Sequence, residues 1–125
     1  MIVLDAGALI ALDNNDRRMW TELKAAMQVA DVVVPLGALA HAWRGGGRQA
    51  RLSRALVGMT PASFDDLAHE AGVLCARSNR SDVIDASVAL VAARPATLVL
   101  YTSDKPDMDH LLATIGGPRP IVVAV

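Results

Sequence analysis

Five aspartates and two hydroxyls carry most of the chemistry this sequence can do. Asp5 follows a short apolar run, Asp82 and Asp85 stand three apart at the head of an apolar stretch, and Asp104 and Asp107 follow Leu98-Val99-Leu100 and the hydroxyls of Thr102 and Ser103. Acids three apart share one face of a helix. Taken singly, Asp82, Asp104 and Asp107 are ordinary N-terminal caps and first-turn acids, drawn to the positive end of a helix dipole. Asp5 fits that description less well. A carboxylate set between a buried strand and a tight turn lies at the edge of the core, where uncompensated charge is costly, so it calls for a cation, a set of donors or a proton.

Three or four carboxylates gathered without matching lysines repel one another, and a hard divalent cation resolves that repulsion. Mg²⁺ and Mn²⁺ prefer oxygen ligands and bridge protein carboxylates to phosphate. Such a centre does phosphoryl chemistry by polarising the phosphate and lowering the pKa of a bound water, and a second ion about 3.5–4 Å away can stabilise the leaving oxygen. Thr102 and Ser103 add hydroxyls that orient a carboxylate or a water. Zinc fits poorly, since Cys75 and the three histidines show no ligand spacing.

The elements that must position these residues follow from periodicity. Short apolar runs at 2–4, 32–34, 97–101 and 121–125 read as strands, with a weaker one at 59–62 that contains Pro61. Between them lie a helical stretch at 8–12, a helix from 17 to about 30 capped by Asp16, and further helices at 35 or 36 to 43, 49–57, 65–78, 81 or 82 to about 93, and 106–115. Gly45-Gly46-Gly47 ends a helix; lacking the lysine and the preceding strand of a phosphate cradle, it is a hinge or cap. Strands alternating with amphipathic helices predict an α/β fold, a mostly parallel sheet covered on both faces. In such sheets ligands bind beyond the carboxyl ends of the strands, where Asp5 and Asp104 stand.

At 125 residues the chain fits one domain, 1–125, with a full core. One cysteine permits no internal disulfide, Met1 leads directly into an apolar triplet without a basic leader, and no apolar run approaches the roughly 20 residues that span a bilayer. The expectation is a cytoplasmic protein that does not enter membranes. The net charge of −1 hides a cluster of Arg44, Arg48, Arg51 and Arg54, which is either a solvated helix face or a phosphate-binding segment.

Four segments, "MIVLDAGALIAL", "VVVPLGALAHAWRGG", "SDVIDASVAL" and "TSDKPDMDHLL", together resemble the PIN domain, in particular the VapC-type toxins of bacterial toxin–antitoxin pairs. Each motif alone is weak; the four in order span nearly the whole chain. The resemblance implies a three-layer α/β/α sandwich and a Mg²⁺- or Mn²⁺-dependent endoribonuclease held inactive by a cognate VapB-like antitoxin, as a homodimer or a toxin–antitoxin hetero-oligomer. By the same resemblance, Asp5 matches the first family acid, Asp85 the third and Asp104 the next acidic or amide position. Asp107 falls where a further acid often stands, and Thr102 matches the supporting hydroxyl. Asp82 lies one turn before Asp85, near enough to contribute to the metal. Arg44 and Arg48 fall at the rim of the implied groove, in reach of RNA phosphate or an antitoxin.

One departure matters. His41 stands where the family usually places a glutamate, and a neutral imidazole neither replaces a carboxylate in charge balance nor suits a hard cation. Three outcomes are open: Asp82 supplies the missing charge, one metal binds while His41 contacts substrate or water, or cleavage is lost and the fold survives as a module that binds antitoxin or RNA. A phosphotransfer domain is a further alternative, with Asp5, a later hydroxyl and Lys105. It lacks the second Asp two residues after Asp5 that a phosphatase nucleophile would want. With one Tyr, one Phe and two Trp, extensive base stacking is not expected, which leaves RNA shape and backbone as the features to be recognised.

Overall fold

The computed structural model describes residues 1–125. In chain order the elements are β1 (Ile2–Leu4), α1 (Ala6–Asp13), α2 (Arg17–Val29), β2 (Val32–Pro35), α3 (Leu36–Ala42), α4 (Ala50–Leu56), β3 (Thr60–Ala62), α5 (Ala68–Ser78), α6 (Val83–Ala92), β4 (Val99–Thr102), α7 (Lys105–Ile115) and β5 (Ile121–Ala124). Short 3₁₀ turns at Gly47–Gln49 and Asp65–Leu67 lead into α4 and α5. The strands form one sheet in the order β3-β2-β1-β4-β5, and every pairing is parallel. This is the α/β/α sandwich expected from the sequence.

The three central strands, β2, β1 and β4, are covered on both faces, whereas the edge strands β3 and β5 are largely exposed. Ile2, Val3 and Leu4 are all buried, as are Val32 to Val34. Successive side chains point to opposite sides of a sheet. Accordingly Val3, Val33 and Leu100 pack with α5, α6 and α7, whereas Ile2, Leu4, Val32, Val34 and Tyr101 pack with α1, α2 and α4. Tyr101 reaches across that second layer and its hydroxyl donates to Glu22 on α2 at 2.7 Å. Pro61, which counted against a strand at 59–62, lies in β3 at the sheet edge, where a missing N–H leaves no ladder bond unmade.

Connection order fixes where a ligand can enter. From β1 the chain crosses to β2 on one side, whereas from β4 it crosses to β5 on the other. The β1–β4 boundary is therefore the point where connections diverge, the place at which open parallel sheets bind ligands beyond the carboxyl ends of their strands. Leu4 pairs with Tyr101, so Asp5 and Thr102 emerge side by side at that boundary. By the alternation of the strands both face the α6 and α7 layer.

The start of α1 differs from the sequence reading. The helix begins at Ala6 rather than near residue 8, because Asp5 caps it with its own carboxylate. Gly7 lies in the first helical turn. Its role is close approach: a Cβ there would fall within the Ser103 side chain and 2.9 Å from the Ser103 backbone nitrogen. The loop after β4 thus packs directly on the first turn of α1. Gly7→Ala is expected to destabilise the fold by about 1–3 kcal/mol, the usual cost of overpacking a fitted contact. Equilibrium urea unfolding measures it, and an unchanged midpoint would contradict this packing.

Candidate metal centre

Three helix N-termini bring acids together at the β1–β4 boundary. Asp5 is the N-cap of α1, Asp82 that of α6 and Asp104 that of α7. Asp85 and Asp107 stand in the first turns of the latter two helices. The sequence reading of ordinary caps and that of a convergent acidic site are therefore both satisfied by the same residues. Each cap positions its own carboxylate and brings its helix dipole toward the same space.

Asp5 is 4% exposed. Its Oδ1 accepts the Ala6 amide at 2.6 Å and its Oδ2 accepts the Thr102 hydroxyl at 2.7 Å. Thr102 is itself fully buried, and its Oγ1 also accepts the Asp104 amide at 3.0 Å. One hydroxyl therefore ties the end of β1 to the start of α7. Burial pushes the Asp5 carboxyl above its usual range and the nearby Asp104 charge adds to this, while the Thr102 and Ala6 hydrogen bonds and the neighbouring His41 pull it down.

Asp85, Asp104 and Asp107 each offer a carboxylate oxygen, and these three oxygens lie within 4.8 Å of one another. Opposed ligands of one Mg²⁺ ion stand about 4.2 Å apart. Exposed or half-exposed carboxylates close such a difference by rotating about their side-chain bonds. Asp85 is pushed up to about 7, first by burial and then by the charges of Asp82, Asp5, Asp104 and Asp107. The one cation paired with the group is Arg80, whose Nε lies 3.1 Å from Asp107 Oδ1. That pair is partly exposed and weak. The donor set thus fits a hard divalent ion: all oxygen, mutually repelling and undercompensated.

Not every expected residue joins the set. Asp5, expected with Asp85 and Asp104, stands beside the close triad and acts on it through its field. Asp107 takes the third place. Asp82 is also outside the triad; its Oδ1 is engaged by the amides of Ile84 and Asp85, both at 3.0 Å. Ser103 is exposed and serves the contact with Gly7, whereas Thr102 supplies the hydroxyl that supports the corner. His41 is exposed on α3, close enough to act electrostatically on Asp5.

Arg44 is exposed and tied to its own helix. Its guanidinium turns back to donate to the carbonyls of Ala40 and Trp43, at 3.4 and 2.7 Å, and so closes the C-terminus of α3. Arg48 is exposed in the 3₁₀ turn before α4. Two residues had no signal in the sequence. Arg80 sits 27 positions from its partner Asp107. Gln49 is buried and organises the glycine loop by accepting the Arg44 and Gly45 amides at 2.6 and 2.8 Å and donating to the Ala42 carbonyl at 2.9 Å.

No protein-family model matches the sequence, and a search of curated proteins finds no match either. No helix is long and apolar enough to cross a membrane.

The raised Asp85 carboxyl has a defined effect on stability. Its folded pKa of about 7 lies above the ordinary 3.8, so the fold holds that proton more tightly than the unfolded chain does. The resulting stabilisation is fully present below about pH 4 and is lost as pH rises through about 7. Metal-free protein is expected to melt several degrees higher near pH 5 than near pH 8, and Asp85→Asn to remove most of that difference. Added Mn²⁺ should recover the loss near pH 8. Thermal unfolding followed by circular dichroism checks this, and a melting temperature indifferent to both pH and Mn²⁺ would contradict it.

Proposed function

We propose that this chain is a divalent-metal-dependent endoribonuclease of the PIN-domain, VapC-like kind, neutralised by a cognate VapB-like antitoxin. The observation that supports it is the close approach of Asp85, Asp104 and Asp107, drawn from two helices, beside the buried Asp5–Thr102 pair at the divergence point of a parallel sheet. The sequence resemblance assigns its acids to this same corner. Bound there, Mg²⁺ or Mn²⁺ would supply polarisation of a phosphate and a water of lowered pKa.

The residues of the chain have distinct parts in this reading. Asp85 and Asp104 hold the ion with Asp107, and Asp5 adds negative charge from the protein side or a further ligand oxygen. Thr102 fixes the Asp5 carboxylate so that its orientation does not depend on the ion, a positioning role of the kind that tunes metal sites. Arg80 offsets part of the charge on Asp107. An open apolar hollow formed by Leu36, Leu39, Trp43 and Leu56 supports a protein partner, with Leu36 and Trp43 each about two-fifths exposed.

His41 supports a second reading, in which the fold binds antitoxin or RNA without cutting. The imidazole lies within electrostatic reach of Asp5 where the resemblance would put a carboxylate ligand, so the site has one anionic ligand fewer to offer a metal.

A cleavage assay on single-stranded RNA separates the two. The first reading expects cleavage with Mg²⁺ or Mn²⁺, none with chelator, and a loss of at least about a hundredfold in Asp5→Asn and Asp85→Ala, each removing a charge on which the centre depends. His41→Glu should increase metal affinity. Absence of cleavage by the wild-type chain, with cleavage gained in His41→Glu, would favour the silent module; cleavage that survives in chelator or in Asp85→Ala would reject the metal centre.

A further inference from the structure

The arginine-rich stretch at 44–54 does not act as one surface. Arg44 folds back on its own helix, whereas Arg51 and Arg54, nearly one turn apart on α4, line a cleft of about 500 Å³ shared with α2. Arg17 and Lys24 line the α2 side, seven residues and so about 10 Å apart along the helix. Four cations therefore surround this space and no acid does.

None of the four is paired. The salt bridges of the chain are Arg80–Asp107, Lys105–Asp109 and Arg119–Asp109, all elsewhere. In a chain of net charge −1 this is charge gathered onto one face, and like charges held so close favour a polyanion. The lining holds a single apolar residue, Trp20, whose indole nitrogen is committed to the Leu12 carbonyl at 3.0 Å. Protein interfaces centre on buried apolar anchors, which this cleft lacks; guanidinium forks suit phosphate. The cleft also lies near the acids. Asp5 caps the start of α1, and Asn15, on the cleft rim, follows its end, so eight helical residues or about 12 Å of α1 separate them. A single strand covers that span in a few nucleotides.

We propose that this α2–α4 cleft binds the phosphate backbone of single-stranded RNA and holds it a few nucleotides from the acidic centre. Its role in positioning substrate rests on the ribonuclease reading above; the binding itself needs no cleavage.

The test is fluorescence anisotropy of a short labelled oligouridine with the full chain in chelator, across a range of salt. Arg51→Ala/Arg54→Ala should weaken binding at least about tenfold and reduce the slope of log K against log salt by about 1.4, two phosphate contacts at roughly 0.7 each for single strands. Arg94→Ala, an exposed cation in the turn after α6, should keep wild-type affinity. No RNA binding by the wild type, an unchanged affinity and slope in the double variant, or an equal loss in Arg94→Ala would each overturn the proposal. So would tighter binding of an oligoglutamate peptide than of RNA at this cleft. Binding as expected in a chain that cuts no RNA would uphold the cleft and reject the ribonuclease reading alone.

Discussion

The hydrogen bond from the Thr102 hydroxyl to Asp5 is the constraint on which the acidic corner depends. It joins the last residue of β4 to the residue after β1, 97 positions apart in sequence, inside a space with almost no solvent. A carboxylate at 4% exposure is costly unless its oxygens are engaged, and here each oxygen has a donor. The same threonine oxygen accepts the Asp104 amide, so the start of α7 is set by the carboxylate it must face. Gly7 completes the corner by letting α1 and the β4–α7 loop touch without an intervening side chain. Cap, sheet and loop are fixed by one small set of contacts.

This arrangement explains why acids crowd where they should repel. Each of Asp5, Asp82 and Asp104 caps a helix and is stabilised by amides and a helix dipole, which offsets part of the cost of bringing the charges together. The offset is incomplete, and the remainder falls on Asp85, which keeps its proton to about pH 7. A divalent ion is the natural counterpart of such a residue. Four of the chain's cations line the α2–α4 cleft, one length of α1 from Asp5, so the protein holds two opposed fields on one small surface.

Much of this was legible in the sequence, for physical reasons. Buried strands must be continuous apolar runs, and that requirement marks β1, β2 and β4 to within about two residues; β3, exposed at the edge and holding Pro61, gives only a weak signal. The parallel sheet followed from alternation with helices, and the acidic cluster from the position of carboxylates after strands. What escaped depended on contacts distant in sequence. Nothing local separates Asp107, which joins the close triad, from Asp5, which stands beside it. Gly7 serves a close approach to Ser103 that no local pattern shows. Arg44 and Arg54 are the same residue type in one cluster, but a helix end takes the first and a cleft the second. Gln49 and Arg80 work through partners that no spacing rule links to them.

The central claim is that divalent metal sits among carboxylates that the Asp5–Thr102 contact helps to place. Crystals grown with Mn²⁺ and measured for its anomalous scattering test it directly. The account predicts a single strong peak, or two close together, bounded by Asp85, Asp104 and Asp107 and on the Asp5 side of that group. A map with no peak there at saturating Mn²⁺, or with Mn²⁺ bound only at acids elsewhere, would contradict it.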